Sequence, residues 1–259
     1  MRRRLDGALF GFRRGFEDHP PRASARGYHY HFPLPIPYSP PPPMIVTIDG
    51  PAGAGKSSVA RALARRLGFR FLDTGAMYRA VALAGLRRGV DWEQPDWLAR
   101  VAREVELQVL AERIFLDGED VTEAVRTSEV TAVTRYAADN PQVREHLGSL
   151  QRQFARGADV VTEGRDQGTV VFPDAECKIF LTASPEERAR RRLRDLELQG
   201  ESATFDEVLA AQQRRDLEDA GRPVGALAPA ADAIEVRTDG MSFDEVVGRL
   251  VEIVGSELD

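Results

Sequence analysis

Only one cysteine and two lysines occur in the 259 residues. The lone Cys177 excludes an internal disulfide, and with four scattered histidines it leaves no zinc-ligand pattern. Its surroundings, Cys177-Lys178-Ile179-Phe180-Leu181, read as a buried strand, so the thiol is expected to pack rather than react. No apolar run approaches the roughly 20 residues that cross a bilayer, and no membrane partner is expected. A basic excess is lacking too. The formal net charge of −6 argues against nucleic acid as the main partner. A reducing cytoplasmic home fits these absences, and a monomer is the default expectation.

What is present is unevenly spread. Residues 1–43 carry seven arginines against three acids, nine of the sixteen prolines and three of the four histidines. Proline removes backbone donors and restricts its neighbours, so no helical or alternating period survives there. This segment is expected to be a dispensable, disordered Pro/Arg-rich extension, upstream sequence translated from a wrongly chosen start, with Met44 immediately before the first convincing strand. The folded domain is expected to span residues 44–259.

From Met44 onward, short apolar runs alternate with helical patterns. Strands are expected at 44–48, 69–72, 160–161, 178–181 and 233–236. Helices are expected at 57–67 and about 75–88. Three later helices announce their starts: Ser184-Pro185-Glu186-Glu187, and the capping boxes Thr204-Phe205-Asp206-Glu207 and Ser242-Phe243-Asp244-Glu245. Strands separated by helices imply an α/β fold with a doubly wound, mainly parallel sheet. One stretch breaks the rhythm. Between about residues 97 and 138, the runs 105–110 and 113–116 read as an antiparallel hairpin, a small inserted lobe.

The decisive motif is Gly50-Pro51-Ala52-Gly53-Ala54-Gly55-Lys56-Ser57, a G-x-x-x-x-G-K-S loop between an expected strand and an expected helix. Its glycines let successive N–H groups turn toward phosphate oxygens, and the helix N-terminus adds a favourable dipole. In such loops the lysine reaches the β- and γ-phosphates and the serine hydroxyl ligates Mg²⁺. The loop and the following Ser58 are therefore read as an ATP site. Glu163, closing its strand, is placed to hold Mg²⁺ through water.

Phosphoryl transfer requires positive charge around the moving group. With only Lys56 and Lys178 available, arginine must supply that clamp. Candidates stand beside strand ends and turns: Arg79, Arg165, Arg215 and Arg222. Most of Arg188 to Arg194 reads instead as a solvated helix face. On residues alone the acceptor stays open: a nucleoside monophosphate such as CMP or UMP, or shikimate. A P-loop switch without an acceptor pocket is a third reading.

From Met44 to the C-terminus the chain resembles the bacterial cytidylate kinases, in the nucleoside-monophosphate kinase group. The resemblance rests on separated blocks: 48–57, 72–79, Val125-Arg126-Thr127, Pro141-Gln142-Val143-Arg144, 163–174 and 215–222. It implies transfer of the ATP γ-phosphoryl group to CMP or dCMP with Mg²⁺. Lys56, Arg79, Arg165 and Arg222 would be catalytic, the three arginines holding the acceptor and transferring phosphates. Arg215 and Asp219 would face the ribose, Thr74 and Tyr78 would line the pocket, and Arg126 would join the acceptor set. Arg144 and Asp166 would read cytosine, whose O2 and N3 accept hydrogen bonds and whose N4 amino group donates. The lobe at 97–138 would bind the acceptor, and about 184–200 would form a lid in which Arg190 or Arg191 meets ATP.

Two positions depart from the pattern. Related sequences usually carry a serine six residues before Pro141, helping Asp166 with the cytosine amino group. Here Arg135 stands there, so either Thr134 substitutes or the contact is absent. Gln167 is polar where the family tends to be apolar, a difference given little weight.

Overall fold

The structure, a computed structural model, describes residues 43–257 except Ala111 and Gln199. The expected extension therefore lies outside the described residues, apart from Pro43.

A short β-branched run makes β1, Ile45–Asp49. After the glycine-rich loop comes α1, Lys56–Leu67, stopped by Gly68 in a left-handed conformation. Then follow β2, Arg70–Asp73, and α2, Thr74–Arg87, whose N-cap Asp73 accepts from the Ala76 N–H. The inserted stretch contains α3, Pro95–Glu104, the strands β3, Leu107–Leu110, β4, Arg113–Leu116, and β5, Glu119–Asp120, then α4, Ser128–Ala138. α5, Pro141–Ala155, leads to β6, Val160–Gly164, and β7, Cys177–Thr182. The chain ends through α6, Pro185–Leu198, α7, Phe205–Ala220, β8, Ile234–Arg237, and α8, Phe243–Ser256.

The five-stranded sheet runs β2-β6-β1-β7-β8, parallel throughout. Alternation along the strands splits the core between its faces. Val46, Ile48, Val161 and Ile179 pack with Val59 and Leu63 of α1 and Leu250 of α8. Leu72 and Val160 pack on the other side with Ala80, Leu147 and the inserted stretch. The doubly wound sheet is as the sequence implies, and both capping boxes form.

The expected hairpin is present, and Glu119–Asp120 adds a third strand beyond the Asp117-Gly118 turn. Leu98, Val101, Ile114, Val125 and Val130 are buried in one continuous cluster with Leu72 and Ala80. The insertion is thus rooted in the main core. Its turn is fastened to α1 by Glu112, which accepts from Arg61 at 2.8 Å and from Arg65 at 2.6 Å.

Candidate active site

The candidate side chains collect where the parallel strands end, the expected ligand edge of such a sheet. Gly50 leaves β1 at φ 149, and a Cβ there would lie 2.0 Å from the Leu181 carbonyl oxygen, so only glycine fits against β7. The loop feeds the N-terminus of α1, whose first turn holds no acid. Lys56 is buried and donates to the Pro51 carbonyl at 2.8 Å. Burial, followed by the nearby Arg165 charge, lowers its ammonium to about 7. The Ser57 hydroxyl donates to Glu163 at 2.9 Å. Burial, followed by the Asp73 charge, raises the Glu163 carboxyl.

Beside this loop opens a crevice of about 730 Å³. Lys56, Ser57 and Ser58 line it from one side, with Arg165 and Arg215 beside them. Arg191 and Arg194 of α6 close a second side, and 240–243 a third. Arg191 donates to the Thr238 hydroxyl and carbonyl at 2.9 and 2.8 Å, fastening α6 to the turn before α8. Among the described residues Arg190 pairs only with Glu187, at 3.5 Å, and is exposed. Sequence reasoning missed the wall from Thr238 to Phe243. Its signal was present in Gly240 and the Ser242 capping box, which place a turn directly after β8.

Arg188 corrects the solvated-face reading of its neighbours. It is 4% exposed and donates to the Ala52 carbonyl at 2.9 Å and the Ala183 carbonyl at 3.1 Å. Its other nitrogen pairs with Asp216 at 2.7 Å. One guanidinium therefore ties the phosphate loop to α7.

α7 and β6 bring together the residues that the resemblance assigns to the acceptor. Asp219, 2% exposed, bridges Arg165 at 2.7 Å and Arg222 at 2.5 Å. Burial alone would raise its carboxyl, but Arg165 and Arg222 hold it below the usual range. Arg222 also reaches Asp139 at 2.7 Å. Arg79 lies 3.5 Å from Asp73, and its buried Nε has no hydrogen-bond partner among the described residues. Arg215, assigned to the ribose by resemblance, lines the crevice beside Lys56.

Arg144 and Asp166 form an ion pair, their side chains 7% and 6% exposed. A second Arg144 nitrogen donates to the Ala138 carbonyl at 3.0 Å. The guanidinium lies 5.6 Å from the centre of the Tyr78 ring, and burial raises that phenol to about 12. Gly225, at φ +70, crosses this pair so closely that a Cβ would fall 1.9 Å from Arg144. That crossing has no local sequence signal.

The remaining expectations fall elsewhere. The Thr74 hydroxyl donates to the Glu163 carbonyl at 2.6 Å, bracing β6. Arg126 is exposed and lines a small cavity with Asp73 and Arg61, apart from the Arg144–Asp166 pair. Thr134 donates to the Val130 carbonyl at 2.7 Å. Arg135 lies against Tyr136, 4.8 Å from its ring, and its Nη2 donates to the Tyr136 hydroxyl at 3.1 Å. Neither residue is hydrogen-bonded to Asp166. Gln167, given little weight, is 1% exposed; it accepts from Thr162 at 2.9 Å and donates to Gln151 at 3.2 Å.

A parallel sheet whose central strand runs into a buried-lysine phosphate loop, facing arginines from three other elements, defines a P-loop phosphotransferase. The chain belongs to the cytidylate kinase family, whose model matches residues 46–256. It is 57% identical over 211 residues to the cytidylate kinase of Rhodopirellula baltica, covering 82% of this chain and 92% of that protein. Similarity extends to the cytidylate kinases of Desulfitobacterium hafniense and Vibrio cholerae, at 48% and 46% identity. Each of these covers 83% of this chain, and 94% and 97% of the relative.

Proposed function

We propose that the chain transfers the γ-phosphoryl group of ATP to CMP, and also to dCMP, giving ADP and CDP or dCDP. The observation that carries the acceptor assignment is the buried Arg144–Asp166 pair. One partner only donates and the other only accepts, the complement of the O2, N3 and N4 edge of cytosine. Membership of the cytidylate kinase family supports the same reading.

In this reaction an acceptor phosphate oxygen forms the new bond to the γ-phosphorus, and the bond from that phosphorus to the β-bridging oxygen breaks as ADP leaves. An ionised phosphate needs no strong base. Charge neutralisation and alignment do the work. Lys56 and the amides of 50–57 hold the donor phosphates. Arg165 and Arg222, joined through Asp219, face the acceptor phosphate with Arg79. Tyr78 and Arg144 wall the base, and the 97–138 insertion forms the acceptor lobe over it.

Mg²⁺ suits the Ser57–Glu163 pair. Its oxygen donors match that ion, with Glu163 acting through water. When bound, the ion neutralises charge on the phosphates. The lid is α6, carrying Arg191 to the donor crevice. A monomer acting in the cytoplasm completes the proposal; no described helix is long and apolar enough to cross a membrane.

The test is ADP production from ATP and Mg²⁺ with CMP, dCMP, UMP, AMP and shikimate as separate acceptors. CMP should give the largest kcat/KM. Shikimate or UMP exceeding it would refute the assignment.

A further inference from the structure

Asp49 has no part in the phosphoryl transfer described above, yet it is 5% exposed at the end of β1, directly before Gly50. One of its carboxylate oxygens accepts the Gln167 N–H at 2.9 Å and the other the Gly168 N–H at 2.8 Å. Those amides open the single wide helical turn Gln167–Val171, which follows immediately after Arg165 and Asp166.

The first N–H groups of a helical turn have no acceptor within it. A local Asp at the preceding position is the common solution, because its carboxylate folds back onto them. Asp166 occupies that position, with φ −146 and ψ 26, but its side chain makes no capping bond. It is paired with Arg144 instead. The missing cap is supplied from 118 residues away by Asp49.

We propose that Asp49 is a positioning residue for acceptor recognition: by capping the turn Gln167–Val171 in place of Asp166, it frees the Asp166 carboxylate to face the acceptor base. Because Gly50 is the next residue, the same contact fixes the base-reading pair relative to the phosphate loop. This rests on the CMP assignment above.

The test compares wild type, Asp49→Asn, Asp166→Asn and the double variant in steady-state assays with CMP and UMP. An asparagine oxygen satisfies one amide and turns an NH₂ toward the other, so Asp166 is drawn back to cap its own turn. In Asp49→Asn the KM for CMP should rise about tenfold and the CMP-over-UMP preference should fall about tenfold, while the KM for ATP changes less than about twofold. Since Asp49 acts through Asp166, the double variant should be no less selective than Asp166→Asn alone. If Asp49→Asn does not fold, Asp49→Ser, which offers one acceptor and no opposing NH₂, carries the same comparison. Retained preference for CMP, additive losses in the double variant, or equal rises in both KM values would overturn the proposal. A wild-type enzyme indifferent to CMP would overturn the acceptor assignment as well.

Discussion

The Ser57 hydroxyl donates to the Glu163 carboxylate at 2.9 Å, joining the last residue of the phosphate loop to the strand beside it. Glu163→Gln keeps that hydrogen bond and removes the charge. Turnover should fall about tenfold or more, and the Mg²⁺ concentration for half-maximal activity should rise. Burial raises the Glu163 carboxyl, so ionisation at neutral pH opposes folding and the melting temperature should not fall. Titrating Mg²⁺ in the activity assay, beside a thermal melt, checks both halves.

Asp166→Asn tests directly whether the Arg144–Asp166 pair reads the base. UMP presents an acceptor where CMP presents its amino group, and asparagine can donate to it. Efficiency with CMP should fall, and the CMP-to-UMP ratio of kcat/KM should narrow by about tenfold, equivalent to 1.4 kcal/mol. An unchanged ratio would assign Asp166 to holding Arg144 alone.

Arg188→Met preserves the aliphatic stem but releases Ala52, Ala183 and Asp216 together. The cost should be about 2 kcal/mol, a drop of roughly 4–8 °C in melting temperature. Because the phosphate loop loses its tie to α7, the KM for ATP should rise as well. Calorimetry and ATP saturation curves measure the two effects.

Cys177 is buried in β7, and desolvation pushes its thiol up to about 12. At pH 8 only on the order of one molecule in ten thousand would carry the thiolate. A disulfide reagent such as Ellman's should therefore leave the native protein unmodified and react fully once it is unfolded in guanidinium. Rapid labelling of the native state would contradict the burial.

Removing residues 1–43 should leave the melting temperature within roughly a degree and the kinetic constants unchanged. Met44 is the first buried residue described, its N–H held by Asp159 at 2.8 Å, and the family match begins at residue 46. A large loss of stability or nucleotide affinity on truncation would give the segment a role in the domain.

The elements legible in the sequence were those with local causes. Thr204 and Ser242 carry their own caps, β1 its β-branched run, and the phosphate loop its glycines. The Asp49 cap, the crossing of Gly225 over Arg144 and the burial of Arg188 depend on residues far away in the chain. Arg188 looks like its solvated neighbours until Asp216 and the Ala52 carbonyl arrive beside it. Gln167 is hidden for the same reason, since Gln151 and Thr162 satisfy its buried amide only after α5 and β6 have met.

The placement of β1 between β6 and β7 has a consequence for how the molecule comes into being. Val46 is matched with Val161 on one side and Cys177 on the other. A chain leaving the ribosome N-terminus first exposes an apolar, unpaired strand while more than a hundred further residues are made. Its closure entropy must be met before any sheet pairing rewards it, which places folding toward the slower end for domains of this size. Until β6 and β7 have been made the apolar strand stays prone to aggregation, and the phosphate loop gains both flanking strands only in the last third of synthesis.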